Sequence, residues 1–296
     1  MYVSSLMLEV TRKCNLKCAH CMRGGAQNKT MTPDIISATF ENIKRVGNLV
    51  IGGGEPSLAV EAIHQIYQQI LWKKVEIENI FIVTNGKTVS KKLLIEFNKL
   101  YGLCGDSSEI SGFAISNDEF HEKARGFYRS IEDYTELMYD SYEEETDDFS
   151  NINEDLIQEH TNKDTMNWLA RGRAKDFGNN HDAYLDNLKL DDFENPKQIH
   201  GEIYVCYNGD VLGDQNMSYT DMKKHMRGNV LYWDTLLQNL KQSTIENYNW
   251  CLHNCKYSTP DPDEQNCCSE WFDCGNAGRA IKINTHDKII AEKKGA

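Results

Sequence analysis

Apolar residues in the first 120 positions of this 296-residue chain follow two alternating rhythms. Short apolar runs occur at 6–10 ("LMLEV"), 48–53 ("NLVIGG"), 79–86 ("NIFIVTNG") and 110–118 ("ISGFAISND"), and each has the length and composition of a buried strand. Amphipathic stretches separate them. Residues 32–47 put Ile36, Phe40 and Ile43 on one face, with Thr32 placed to cap the helix, Pro33 at its first position and Gly47 at its stop. Residues 57–74 carry a stripe through Leu58, Ala62, Ile66 and Ile70. Residues 90–102 repeat the signal, from Ser90 to Gly102. Strand, loop and helix in repetition predict right-handed crossovers and a parallel sheet, an α/β fold.

In a parallel β/α barrel the carboxyl ends of the strands open on one face, where chemistry collects. Four unusual loops each follow a strand here: "TRKCNLKCAHC", "GGGEP", "TNGK" and "SNDEFH". Each alone is ordinary: a glycine run or Thr84-Asn85-Gly86 is turn chemistry, and Ser116 can cap a helix. Together they are expected to line one pocket. Beyond Phe120 the rhythm fades. Between Glu132 and Asp155 stand eleven acidic residues and no Lys or Arg, the composition of a solvated acidic face or of a dock for a basic partner. Residues 166–178 ("MNWLARGRAKDFG") read as a fifth strand and its loop. "GEIYVCYNGDV" reads as a hairpin turning at Asn208-Gly209.

Composition narrows the function. The formal net charge is -13, which argues against a nucleic-acid partner, since such binding runs on Lys and Arg. No apolar run approaches the ~20 residues of a membrane span, and no charged-then-apolar leader opens the chain, so a cytoplasmic location is expected. Ten cysteines in that setting point to metal or catalysis rather than to disulfides.

Three of those cysteines, Cys14, Cys18 and Cys21, fall within eight residues. Soft thiolates suit zinc, copper(I) and iron–sulfur clusters. A structural zinc takes four ligands, and His20, directly beside Cys21, is strained as the fourth. A cubane cluster offers another solution, with three irons on cysteine and the fourth open to a ligand that is not protein.

The Cys14-x3-Cys18-x2-Cys21 spacing resembles the signature of the radical S-adenosylmethionine (SAM) superfamily. The resemblance covers roughly the first 120 residues. It implies a partial (β/α)6 TIM-like barrel, a [4Fe-4S] cluster on these three cysteines, and SAM chelating the open iron. His20 stands where the family often places an aromatic residue beside the adenine. "GGGEP" resembles the family's Gly-Gly-Glu motif, mapped onto Gly53, Gly54 and Glu55. "ISND" resembles its ribose-binding segment, which makes Ser116 and Asp118 partners for sugar hydroxyls. Arg171 or Arg173 can pair with the SAM carboxylate in a two-pronged fork. The implied reaction is reductive cleavage of SAM, fed by a flavodoxin- or ferredoxin-like donor. The resulting 5′-deoxyadenosyl radical then takes hydrogen from a substrate.

The division expected is a partial barrel over 1–195 and a smaller cysteine-rich extension over 196–296. That extension resembles the start of a SPASM or twitch module, as found in peptide-modifying members. It departs from the pattern: "GDVLGDQ" has no cysteine after the hairpin turn. Cys251, Cys255, Cys267 or Cys268, and Cys274 can still form a four-thiolate site for a second cluster or zinc. They can equally be packed thiols without metal. Cys104 is expected to be structural. The substrate expected is a peptide undergoing crosslinking, thioether formation or epimerisation. The alternatives are a small molecule, or a non-catalytic zinc–thiolate protein.

Overall fold

The structure is a computed structural model and describes residues 1–105, 111–133, 136, 156–160, 188–192, 195–213 and 215–254. Strand β1 (Tyr2–Thr11) extends beyond the apolar run at 6–10. Ser4 and Ser5 disguise it in sequence, yet Val3, Leu6, Leu8 and Val10 are all fully buried. β1 runs in unbroken register with its neighbour from Tyr2 to Glu9, so Val3 and Leu6, three residues apart, point to opposite faces, and both faces are buried.

Helix α1 (Pro33–Thr39) begins as expected, after Thr32 and with Pro33 in its first turn, but it is half the predicted length. Residues 40–44 form a turn, and strand β2 (Arg45–Gly53) takes the last three residues of the 32–47 stretch. Pairing decides this: β2 lies between β1 and β3 (Glu76–Thr84), parallel to both, and buries Val46, Leu49 and Ile51. Gly47 is therefore not a helix stop. It sits inside β2 where any Cβ would strike the Ser4 carbonyl of β1, so glycine permits the close approach.

Helix α2 (Val60–Lys73) follows a short 3-10 turn, Pro56–Leu58. Leu58 consequently leaves the predicted stripe and is 40% exposed, while Ala62, Ile63, Ile66 and Ile70 form the buried face. Helix α3 (Lys91–Tyr101) matches expectation: Ser90 caps it by accepting from the Leu93 amide, and Gly102 ends it. Strand β4 (Gly112–Ser116) leads into α4 (Glu119–Arg125). The fifth parallel strand, β5 (Ile157–His160), pairs with β4. It precedes the 166–178 stretch expected to supply it, which lies outside the described residues.

The two-residue β6 (Lys189–Leu190) pairs antiparallel with β7 (Gln198–Val205). β7 and β8 (Asp210–Leu212) form the expected hairpin, with Gly209 of the Asn-Gly turn at φ 86°. β9 (Gly228–Asn229) and helix α5 (Trp233–Asn254) complete the described chain. Among the described residues the sheet runs β5-β4-β3-β2-β1-β7-β8-β9. The neighbours from β5 to β7 are all parallel. β7, the strand that opens the expected extension, is thus a full member of the main sheet, bonded along β1 from Tyr2 to Leu8. α5 is tied back by the Trp233 indole, which donates to the Ala38 carbonyl of α1 at 2.8 Å. Among the described residues no helix is long and apolar enough to cross a membrane.

Candidate cofactor-binding site

The cysteine loop leaves β1 at Thr11 and is fastened at its neck. Arg12 and Gln27 exchange backbone contacts with Lys29 and Arg12 (3.0 and 2.9 Å), and the Thr11 hydroxyl donates to the Lys29 carbonyl (2.7 Å). Residues 14–24 form the bow above this knot. None of the three thiols is in a disulfide; Cys18 is buried and Cys14 and Cys21 half-buried. The Cys14 sulfur accepts the Leu16 amide N–H at 3.4 Å and one Asn85 side-chain N–H at 3.6 Å. Burial, and then the charges of Glu55 and Cys21, push this thiol upward against those two donors. Three soft donors in one loop, with N–H groups already aimed at a sulfur, fit an iron–sulfur cluster.

Gly53, Gly54 and Glu55 sit against the neck of that loop. Gly53 has φ +143° and a Cβ there would overlap the Thr11 carbonyl; at Gly54 it would overlap the Lys13 carbonyl. What approaches these glycines is the cysteine loop's own backbone, with Gly54 and Glu55 amides donating to Thr11 and Lys13 carbonyls (2.7 and 2.8 Å). The Glu55 carboxylate, 1% exposed, is consumed by the protein. It accepts from the Thr84 hydroxyl (2.7 Å), the Asn85 amide (2.7 Å) and the Ser57 amide (3.1 Å), locking the loop after β2 to the loop after β3.

Past β4, Asp118 caps α4 by accepting from the Phe120 and His121 amides (3.0 and 2.9 Å). Its other oxygen lies 2.7 Å from His121 Nδ1 and 3.7 Å from His20 Nε2. Burial opposes the charge, but the His121 contacts and then His20 prevail and bring the carboxyl down to about 2. The His20 ring packs 4.9 Å from Phe120 and edge-on to His121 at 4.8 Å. Donor atoms of His20, Asp118 and His121 all fall within 4.8 Å of one another. The fold thus joins the end of the cysteine loop to the expected ribose segment. Ser116 is buried, and its carbonyl accepts from Arg125 at 2.8 Å. Arg125 also donates to the Asn85 carbonyl (2.7 Å) and the Asn117 side chain (2.7 Å), so one buried guanidinium ties the β3 and β4 loops together.

On the β7 side lies a second network, unforeseen from sequence. Glu9, fully buried on β1, accepts from Arg12 Nε (2.9 Å), the Tyr204 hydroxyl (3.1 Å) and the Tyr207 amide (3.2 Å). The Arg12 guanidinium lies 4.7 Å from the Tyr207 ring centre and 4.3 Å from that of Tyr219. Arg23 covers Tyr204 at 4.8 Å and donates to the Met217 carbonyl. Cys206 packs beside Met222 in this cluster, its thiol held protonated by burial. One signal was available: Glu9 interrupts an apolar strand three residues before an arginine. Asn85 and His121 carried none beyond their place in the quoted strand-end stretches, and Arg125, at the end of α4, carried none.

Arg171, Arg173, Cys255, Cys267, Cys268 and Cys274 lie outside the described residues. Cys251 lies in α5.

With this geometry in place, a family model described as the Radical SAM superfamily matches residues 8–165, more than half of the chain. The chain belongs to the radical SAM superfamily. Its cofactors, as a member of that superfamily, are a [4Fe-4S] cluster and SAM. Over 96 residues it is 38% identical to a probable GTP 3′,8-cyclase of Methanococcus vannielii, a match covering 30% of this chain and 31% of that protein. Over 146 residues it is 30% identical to the mitochondrial GTP 3′,8-cyclase of Arabidopsis thaliana, covering 45% and 36%. The matches thus span about a third of the length of these curated relatives. Among solved structures, native anSMEcpe with bound AdoMet and Cp18Cys peptide superposes with a TM-score of 0.49 at 14% identity, covering 88% of this chain and 92% of that one. Streptococcus suis SuiB bound to precursor peptide SuiA gives 0.34 at 12%, covering 73% and 60%.

Proposed function

We propose that Cys14, Cys18 and Cys21 hold the cluster and that this radical SAM enzyme acts on a peptide, in a crosslinking, thioether-forming or epimerising reaction. When bound, the cluster and SAM supply reductive C5′–S cleavage and a 5′-deoxyadenosyl radical able to take a hydrogen atom from substrate. The protein's part is placement. The knot at Thr11–Lys13 and Gln27–Met31 holds the three thiols at the carboxyl end of β1. His20 and Asp118 face each other at the end of β4, where an aromatic ring and a carboxylate suit the adenine and ribose of SAM. Gly53, Gly54 and Glu55 hold the second loop against the cysteine loop, and Ser116 completes the fourth. Arg171 or Arg173 is assigned to the SAM carboxylate.

The observation carrying the peptide reading is the β7–β8 hairpin with its Asn-Gly turn, followed by a helix that brings Cys251 into a cysteine-rich tail. It resembles the start of the SPASM or twitch extension of peptide-modifying members. Cys251, Cys255, Cys267 or Cys268, and Cys274 are proposed to bind a second cluster or zinc. We place the working boundary of that extension at 196, with β7 serving both halves.

A nucleotide substrate is the second reading, favoured by the identity shared with proteins named GTP 3′,8-cyclase. One experiment separates the two. Anaerobically reconstituted protein is given SAM and a flavodoxin-like donor or dithionite. Peptides encoded in neighbouring reading frames are added in one arm and GTP in another. The peptide reading expects 5′-deoxyadenosine formation to rise, and a mass change to appear, only with peptide. A new product from GTP and none from any peptide would replace it.

A further inference from the structure

The "TNGK" loop is the strand-end loop to which no role has been given, and its side chains reach the cysteine loop at Cys14 and Asn15. Asn85 is held from four sides. Its amide donates to Glu55 (2.7 Å), and its carbonyl accepts from Arg125 (2.7 Å). Its side-chain oxygen accepts from the Lys87 amide (2.9 Å), which fixes the orientation of the carboxamide. The nitrogen end, with two hydrogens, faces the cysteine loop. One hydrogen goes to Asn15 Oδ1 at 2.9 Å; the other points to Cys14 Sγ at 3.6 Å, a normal length for a donor to sulfur's larger radius. Asn85 is 7% exposed, so little water competes for that sulfur.

We propose that Asn85 is a positioning residue for the cluster, whose side-chain N–H, donated to Cys14 Sγ, raises the cluster's reduction potential. The inference rests on Cys14 being an iron ligand. Adding one electron increases the negative charge on the sulfurs, so a donor aimed at one of them stabilises the reduced form more than the oxidised form. The four anchors matter because a fixed donor needs no reorganisation when the electron arrives. The Leu16 amide is a second donor to the same atom and survives any side-chain substitution.

The test uses full-length protein, reconstituted anaerobically, as wild type, Asn85→Ala, Asn85→Asp and Cys14→Ala. Iron and sulfide content is measured first, then the midpoint potential by dye-mediated titration with dithionite, read by electron paramagnetic resonance. Both Asn85 variants are expected to load iron as wild type does. At a fixed solution potential their reduced-to-oxidised ratio should fall about three- to tenfold in Asn85→Ala, the worth of one hydrogen bond. Asn85→Asp, which adds a charge, should fall further. Potentials equal to wild type in loaded Asn85→Ala overturn the proposal. Full iron loading in Cys14→Ala overturns the ligand assignment instead. Should the Asn85 variants not fold, the wild type decides: asparagine labelled with ¹⁵N should give an exchangeable side-chain amide coupling to the reduced cluster in pulsed resonance spectra. Its absence overturns the proposal too.

Discussion

Glu55 shows how one carboxylate can join two strand-end loops. Sequence places it in a glycine-rich turn facing a ligand. In the structure it gathers three donors from two loops, all of them buried or half-buried. Glu55→Ala leaves these donors unsatisfied, so it should lower stability by about 2–5 kcal/mol, measured by urea unfolding. Wild-type stability in that variant would mean the donors find other partners. Cys104 is a quieter case. Burial lifts its thiol to about 11, with the Ser111 hydroxyl opposing. A thiol with a raised folded value favours the folded state below its unfolded pKa, and that contribution is lost as pH rises through about 11. Alkylation of native protein followed by mass spectrometry should therefore find Cys104 slow at mildly alkaline pH and fast only near that value. Rapid labelling near neutrality would contradict the burial.

Among the elements, α4 carries the clearest local logic. Asp118 caps it, Glu119 and Glu122 stand in its first turn, Lys123 and Arg125 in its last, and Gly126 ends it in a left-handed turn. All of this is local, as is the i,i+3 contact of Asp118 with His121, yet the pattern in sequence predicts only a loop over "SNDEFH" and a rhythm that fades beyond Phe120. The His20 contact is not local, because it needs the cysteine loop folded beside the helix. Asp118 has a depressed folded value, so its contribution is present above its ordinary 3.8 and lost as pH falls through about 2. Asp118→Ala should cost about 1–2 kcal/mol near neutrality through the lost cap. The gap to wild type in denaturant midpoint should narrow as the solution is acidified; a gap that widens would reverse the sign argued here. Helix α1 teaches the opposite lesson. Ile36, Phe40 and Ile43 are all buried as the stripe predicts, but the last two lie beyond a helix that ends at Thr39. Pairing of β2 with β1 and β3 outweighs a continued helical rhythm, whose propensity is a weak prior.

For the whole molecule, the decisive feature is β7 along the free edge of β1. Glu9, Arg12, Tyr204 and Tyr207 join the two strands and the cysteine loop through one buried charge network. Removing Glu9 would strand a guanidinium that is 7% exposed, so Glu9→Ala should cost about 3–5 kcal/mol in denaturant unfolding. A chain ending at residue 195 should lack cooperative unfolding, because β1 would keep an unpaired edge and lose the cover of its inner carboxylate. A stable, cooperatively unfolding 1–195 fragment would overturn this prediction.

By itself the sequence determined the α/β alternation, the placing of unusual loops at strand ends, the Asn-Gly hairpin and the three closely spaced thiols. These are properties of neighbouring residues, governed by periodicity, turn chemistry and ligand spacing. Tertiary structure alone decided that β7 lies beside β1, that Glu55 serves two loops, and that Asn85 reaches Cys14. The Asn85 and Tyr204 contacts join residues 71 and 195 positions apart. Strand order and side-chain reach set them, and neither leaves a trace in local pattern.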